Sequence, residues 1–479
     1  MRIGIDFGTS YSAAGAVVDG KVELIRFGDE QQFRTTVFFP QRLPDTHHFE
    51  LTDELHEQVR RMVSGMKAEQ SREMARLEKL RQDAARLPEA RRAEALAQIP
   101  NLRVRRDEEL WRAAVAAVRR DWVTSEVRQA MTETVDIDNA LYGDEAVDAF
   151  LSAGEGHLVV SPKSMLGYKL EAHARDVLLG IATHILRHIR QTASAQLGAE
   201  VRAAVIGRPV HFRSSMKDGD AQAQDIIADA ASAAGFDQVE FLEEPAAAAY
   251  GYHRSIERPR RIMILDIGGG TTDMALAEVG GQIPFPAIDG SWGVPVGGTD
   301  VDLELSMRGV MPLFGKGVTD TPVHRFYEAS HVQDMQRQAN FRSASFEHVD
   351  SPYRERLHAL KQPGQTVRLN RAVEQAKIGL SSAEHWTLEL DCIEQGMQCT
   401  VDRGLLADAA QPVVAQLRKL MLEAKAGAQQ APEVIYLTGG MSRSPWIPAL
   451  AAEVFPDAEI VAGNASLGVV SGLALAASA

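Results

Sequence analysis

The chain has 479 residues, 45% of them apolar and 24% charged, with a net charge of −14. That length allows a large core and more than one domain, and the acidic balance argues against general binding of nucleic acid or anionic membranes. Two cysteines, Cys392 and Cys399, make no disulfide scaffold and no zinc spacing, and the fourteen histidines show no ligand pattern.

Arg2 to Phe27 reads as a three-strand meander, with Asp19-Gly20 as a hairpin signal between the second and third strands. A strand beginning at Arg2 leaves no room for a signal peptide, and no apolar run approaches the roughly 18 residues of a membrane span. The expected location is cytoplasmic.

From about Gln41 to Leu141 the pattern changes. Leu51, Leu55, Val59, Met62, Met66, Met74, Leu77 and Leu80 recur at helical spacing among Glu, Arg, Lys and Gln. Thr52 is the expected N-cap, followed by Asp53 and Glu54, and Pro88 and Pro100 punctuate the stretch. A second helix is predicted from Asp107 to Met131, with Leu110, Val115, Val118, Trp122 and Val127 on one side. The pair reads as a helical insertion over about 41–140, either a solvated hairpin packed on the main body or a partner-binding surface formed by residues 52–131.

From Tyr142 the globular pattern returns. Ser161-Pro162-Lys163 opens a turn, and a helix is predicted over Arg175–Gln196. A buried strand at Val201–Ile206 and a helix at Ala221–Ala234, closed by Gly235, come next. Phe241-Leu242-Glu243-Glu244-Pro245 is expected to begin another helix. A second lobe starts near Arg258, with a strand at Ile262–Asp266, an antiparallel partner at Met274–Glu278, and a turn Gly297-Gly298-Thr299-Asp300 into a helix. Residues 311–363 read as less regular. Arg371–Leu380 is predicted helical, Glu433–Leu437 a buried strand, Gly439-Gly440 the lead into a helix, Glu459–Val461 the last strand and Leu467–Ala477 a closing helix.

One pattern occurs twice. Ile3-Gly4-Ile5-Asp6-Phe7-Gly8-Thr9-Ser10 and, about 260 positions later, Met263-Ile264-Leu265-Asp266-Ile267-Gly268-Gly269-Gly270-Thr271-Thr272 are each an apolar strand ending in Asp, then glycine, then hydroxyl residues. Glycines let a turn bring backbone N–H groups close to a ligand, and several such groups form an anion nest. The Asp at the strand end suits a hydrated Mg²⁺. A single copy would fit any Gly-rich hairpin; two suggest two lobes closing on a nucleoside triphosphate. Phosphoryl transfer needs positioning, a metal and charge neutralisation more than covalent chemistry.

Taken in order, the motifs resemble the ATPase domain of DnaK-type heat-shock chaperones, in the actin and sugar-kinase superfamily. Besides the two strand–turn patterns they are Lys163-Ser164-Met165-Leu166-Gly167, Glu244-Pro245-Ala246-Ala247-Ala248, Glu374-Gln375-Ala376-Lys377-Ile378-Gly379-Leu380-Ser381-Ser382 and Leu437-Thr438-Gly439-Gly440-Met441-Ser442-Arg443-Ser444-Pro445. The set covers the chain except about 41–140 and is most similar to the YegD-type subgroup.

The resemblance implies an α/β fold of two actin-like lobes, duplicated ribonuclease H-like cores around a nucleotide cleft. Lobe I would span 1–257, with the insertion and a returning C-terminal helix at 461–479, and lobe II 258–460. It implies ATP or ADP with Mg²⁺, and K⁺ as a further cation. Lys163 would face the γ-phosphate and Glu244 would orient the attacking water, with Asp6 and Asp266 completing the catalytic set. Asp6, Asp266 and Asp273 would surround the metal, mostly through water. Gly8, Thr9, Ser10, Tyr11, Gly268, Gly269, Gly270 and Thr271 would grip phosphate. Gly298, Glu374, Lys377, Ser381, Gly439, Gly440 and Arg443 would complete the nucleotide site.

The chain departs from the family at Ser164 and Ala246, at Ile378 where a basic residue is usual, and at Ser466 where an acidic one is expected. No apolar-acidic linker or β-rich peptide-binding domain follows the closing helix before Ala479. The expected function is a slow Mg²⁺-dependent ATPase, chaperone-like, whose lobe closure is coupled to an unknown protein partner. A small-molecule kinase and a non-catalytic nucleotide-sensing module are the alternatives, with a filament-forming relative as a further one.

Overall fold

The computed structural model describes residues 1–39, 49–86, 88, 92, 99, 100, 104–133, 140–153, 157–214, 216–463 and 467–478, with side chains not described at 123–133 and 173. Ser466 and the end at Ala479 lie outside the described residues, as does the side chain of Val127. The chain forms two compact units, Met1–Pro40 with Asp136–Ala479, and Gln41–Val135.

In the larger unit, strands β1 (Arg2–Phe7), β2 (Tyr11–Val18), β3 (Lys21–Leu24), β4 (Phe33–Arg34) and β5 (Thr36–Phe39) come first. β6 (Leu141–Tyr142), β7 (His157–Val160), β8 (Ala203–Arg208) and β9 (Gln238–Glu243) follow. Asp19 and Gly20 both adopt positive φ, as the hairpin signal requires. Then come β10 (Arg260–Ile267), β11 (Thr272–Val279), β12 (Ala287–Val294), β13 (His385–Glu389), β14 (Gln398–Asp402), β15 (Val434–Thr438) and β16 (Glu459–Ala462).

Two sheets share one plan. The first runs β3-β2-β1-β8-β9, with β4 beside β2, and the second runs β12-β11-β10-β15-β16. In each, the central strand pairs antiparallel with the hairpin strand that follows it and parallel with a strand much later in the chain. This is a duplicated α/β arrangement, the two-lobed actin-like fold. The register makes Asp6 and Asp266 equivalent: Asp6 faces Ala13 across its hairpin, and Asp266 faces Asp273.

One apolar core covers the second sheet and one the first. A third joins both sheets, with Val205, Ile262, Ile264 and Val434 around Ala247 and Leu473. It is built by two small-residue helices, Glu244–His253 and Gly468–Ala477. Their approach leaves no room for a side chain, since a Cβ on Gly472 would lie 1.6 Å from the Ala247 carbonyl oxygen. A Cβ on Gly4 would lie 2.3 Å from the Ala474 nitrogen, which seats the last helix on β1.

Several expectations are corrected. Phe241-Leu242-Glu243 is the end of β9 rather than the start of a helix, which begins at Glu244. Residues 311–363 hold three α-helices, Val323–Ser330, Met335–Ser343 and Tyr353–Leu360, whose eight or nine residues are too few to show a stable period. The Arg371–Leu380 helix begins earlier, at Gln365. β12, the β13–β14 hairpin and a 25-residue helix over Arg403–Gly427 were not expected from the sequence.

The smaller unit is a helical hairpin of Asp53–Ala85 and Asp107–Glu133. Thr52 caps the first helix, its hydroxyl accepting from the Leu55 N–H at 3.4 Å. The core is small: Val59, Ala114 and Val118 are buried, with Leu55, Met62 and Met66 partly so. Met74 and Leu80, although in phase with that stripe, are 46% and 43% exposed. Among the described residues no helix is long and apolar enough to cross a membrane.

Two histidines of the Ala172–Leu197 helix pack on the three-stranded sheet β6-β5-β7. His184 meets Phe39 edge-on at 5.2 Å, and neither of its ring nitrogens has a partner among the described residues. His188 stacks on Tyr142 at 4.0 Å. Burial lowers both to about 4, with Arg187 adding to the effect at His184. A base lowered in the folded state stabilises above its ordinary pKa and loses that stability as pH falls through the lowered value. Stability should therefore drop between pH 6.5 and 4, by roughly 3 kcal/mol per ring. Thermal unfolding from pH 7 to 4.5 tests this: the wild type should lose Tm faster than a His184→Leu/His188→Phe variant, and parallel profiles would refute it.

Candidate functional site

The strand that ends at Phe7 turns through Gly8-Thr9-Ser10 into β2, and the one that ends at Ile267 turns through Gly268–Thr271 into β11. Only glycine fits at position 8, because a Cβ there would lie 2.2 Å from the Tyr11 carbonyl oxygen. The two turns meet face to face. A Cβ on Gly269 would sit 2.1 Å from Ser10 Oγ, and one on Gly270 would sit 2.7 Å from Thr9 Oγ1. A third turn braces the second: the Gly298 N–H donates to Gly268 O at 3.0 Å and the Thr299 N–H to Gly269 O at 2.8 Å. A fourth lies after β15, where Gly439 holds φ 81° and a Cβ would come within 2.4 Å of the Ile267 carbonyl oxygen.

These turns surround a cavity of about 460 Å³. Every residue expected to bind nucleotide lines it: the phosphate-turn residues, Gly298, the Glu374, Lys377 and Ser381 face of the helix, and Gly439, Gly440 and Arg443. Lys163, Glu244, Asp6 and Asp266 line it too, while Asp273 stands behind Asp266. Thr299 and Met441, which lie within the quoted turn and motif but were not singled out, line it too, as do Gln32 and Val469, which no local pattern marks.

The cavity floor is acidic. Glu244 opens its helix and accepts a 2.5 Å hydrogen bond from Lys163, and both are buried. Lys163 is presented by a 3₁₀ turn, Pro162–Met165, entered through Ser161 at φ 53°. Burial, and then the Glu244 charge, raises Asp6 to about 7 and Asp273 to about 8 and raises Asp266 well above the carboxylate range. Asp273 is steadied by the Val210 N–H at 2.7 Å. Four carboxyl groups thus face one ammonium, a surplus that an added cation would relieve. An all-oxygen set suits a hard divalent ion such as Mg²⁺. Among the described residues no three His, Cys, Asp or Glu side chains are close enough to cage a metal by themselves, so waters would have to complete its shell.

At the other end, Lys377 donates to Asp302 at 2.7 Å and to Gly298 O at 3.2 Å. Asp302, buried, is raised to about 6 even beside that ammonium. Glu374 is gripped by Arg34 at 2.9 Å, and Arg34 also reaches the Tyr11 hydroxyl at 3.1 Å and Asp144 at 3.2 Å. Arg371 pairs with Asp148 at 2.6 Å, and Arg368 donates to Leu151 O at 2.8 Å. Both sides of the cleft are therefore tied at this mouth as well. Of the departures, Ser164 turns its hydroxyl back to Ser161 O at 2.8 Å, Ala246 is buried and Ile378 is 53% exposed on the cavity rim.

The sequence model of the family described as Hsp70 protein matches residues 173–311 and 340–478, more than half of the chain. The chain is similar to a "Heat shock 70 kDa protein" of Neurospora crassa, 26% identical over 287 residues, which are 58% of this chain and 37% of that protein. It is 26% identical over 320 residues to a "Chaperone protein DnaK" of Thermoplasma volcanium, covering 64% of this chain and 45% of the relative. A "Chaperone protein DnaK" of Thermosipho africanus is 28% identical over 319 residues, 62% and 46% of the two chains. The matched region spans less than half the length of these relatives.

Gly439 offers a direct test of the cavity wall. Gly439→Ala forces a side chain into positive φ and onto the Ile267 carbonyl, and should cost about 2 kcal/mol or more in urea unfolding. An unchanged midpoint would show that the wall is not built as described.

Proposed function

We propose, for a chain that belongs to the Hsp70 protein family, that the cleft binds ATP or ADP with Mg²⁺ and hydrolyses ATP slowly. The observation that supports it best is the meeting of two glycine–hydroxyl turns over a carboxylate floor that contains one buried Lys–Glu pair. The YegD-type placement within the family rests on the ordered motifs alone.

On this reading the N–H groups and hydroxyls of 8–10 and 269–271 hold the phosphates from two sides. Asp6, Asp266 and Asp273 orient the water shell of Mg²⁺, which neutralises charge on the phosphates; K⁺ would balance what negative charge is left. Lys163 shifts from Glu244 toward the γ-phosphate, and Glu244 orients the attacking water. Glu374, Lys377 and Ser381 hold the ribose side, and the planar Arg443 guanidinium lies against adenine.

Slow turnover follows from the same contact. That buried 2.5 Å pair must open before Lys163 can reach the γ-phosphate and Glu244 can accept the water's proton, and opening a buried ion pair is costly. Closure of the cleft would couple nucleotide state to a protein partner, with residues 52–131 as the surface offered to it.

Single-turnover hydrolysis of labelled ATP tests the reading. Lys163→Met should slow it about 100-fold or more while Mg²⁺–ADP still binds. It should also lower stability by about 3 kcal/mol, because Glu244 loses its buried partner. Unchanged turnover in the variant would remove Lys163 from the chemistry, and no turnover with tight binding in the wild type would leave a nucleotide-sensing module.

A further inference from the structure

The loop that leaves β8 has a task that the nucleotide contacts do not account for. It runs from Pro209 to Ser214 and crosses from the first sheet toward the glycine turns of the second. On its own side it is tied to the Lys163 turn: Ser214 Oγ donates to Gly167 O at 2.7 Å. Gly167 and Arg213 pack so tightly that a Cβ on the glycine would lie 2.3 Å from the Arg213 carbonyl oxygen. Asp220, on the Gly219–Ala233 helix, accepts from the Phe212 N–H at 2.7 Å, which fixes the loop's middle.

On the far side the Arg213 guanidinium, 17% exposed, makes two bonds in different directions. Its Nε–H donates to the Gly270 carbonyl at 2.9 Å, and its Nη2 pairs with the Asp300 carboxylate. Asp300 in turn accepts from the Gly297 N–H at 2.8 Å. One planar cation thus holds the carbonyl of a phosphate-turn glycine and, through Asp300, the turn that braces it. Arg213 does not line the cavity.

We propose that Arg213 is a positioning residue that sets the spacing between the Lys163 turn and the Gly268–Thr271 turn. It holds the two halves of a phosphate seat in register, so that its loss would loosen the hold on phosphates and leave the base side alone. The fork is the physical reason for arginine: a guanidinium presents N–H vectors fixed in one plane to both acceptors, whereas a lysine ammonium is a freely turning point charge that holds neither at a set angle. This inference rests on the nucleotide-binding reading above.

Two measurements on the full chain separate the inference from that reading. Hydrogen exchange in nucleotide-free protein reports the tether directly. Arg213→Ala should speed exchange at Gly269, Gly270 and Gly297 at least tenfold, with Arg213→Lys in between, while amides of the Arg403–Gly427 helix stay unchanged. Stopped-flow release of fluorescent ADP and of fluorescent adenosine then reports the consequence. The variants should release ADP about tenfold faster and adenosine at the wild-type rate.

Unchanged exchange overturns the tether. Faster exchange with wild-type ADP release overturns its role in holding phosphate, and equal acceleration of ADP and adenosine overturns its restriction to the phosphate end. Failure of the wild type to bind ADP overturns the nucleotide reading and the role given to Arg213 with it.

Discussion

The structure turns on a surplus of negative charge withdrawn from water. Asp266, Asp273 and Glu244 are buried, and Asp6 lines the cavity, yet among the described residues the cation that acts on them is Lys163. Apolar strands force this arrangement, because β1 buries Ile5 and Phe7 on either side of Asp6, and β10 buries Leu265 and Ile267 on either side of Asp266. Without a counter-cation the aspartates are raised toward protonation, and that energy is a standing preference for a hydrated divalent ion. On the proposed function, the glycine turns that border the same cavity would hold the phosphates that such an ion neutralises.

Duplication explains why two such strands meet, and where the copies have diverged. The two sheets share strand order and direction, so Asp6 and Asp266 occupy one structural position. Their hairpin partners do not match: Ala13 faces Asp6, whereas Asp273 faces Asp266. A second acidic residue at position 13 would add a further buried carboxyl beside Asp6 without adding a cation. The copies also differ in their turns. The second has three glycines and a bracing turn at 297–299, while the first has one glycine and two hydroxyls; Ser10 and Thr9 occupy the space that Gly269 and Gly270 leave.

The sequence shows the strands and turns of the site well because both carry local chemistry. An apolar run ending in Asp and glycine needs no distant partner to be read. Thr52, Asp19-Gly20 and the part of the Gln365–Gly379 helix from Arg371 onward were legible for the same reason. β12 was not, since Ala287-Ile288-Asp289-Gly290-Ser291 is largely exposed and lacks an apolar alternation. The helix over Arg403–Gly427 carries Pro412 in its interior, which argues against a helix on sequence alone. Arg34, Arg213 and Asp302 were invisible for another reason: each acquires its meaning from a residue at least 57 positions away. Met74 and Leu80 show the opposite failure, in which a true helical period overstates how much of a face is buried.

The cleft is fastened at both ends, and the fastenings differ in kind. At the phosphate end, Val210 to Asp273 and Arg213 to Gly270 draw on a backbone N–H and a backbone carbonyl, so each bond is fixed in geometry at one partner. At the other mouth Arg34–Glu374 is 12% and 13% exposed and Arg368 bonds the Leu151 carbonyl, while Arg371–Asp148 is exposed at 33% and 66%. Exposed pairs contribute little and are screened by salt, whereas buried and partly buried charges are screened much less. Salt should therefore release Arg371–Asp148 first and leave Arg34–Glu374 and the backbone-anchored ties in place.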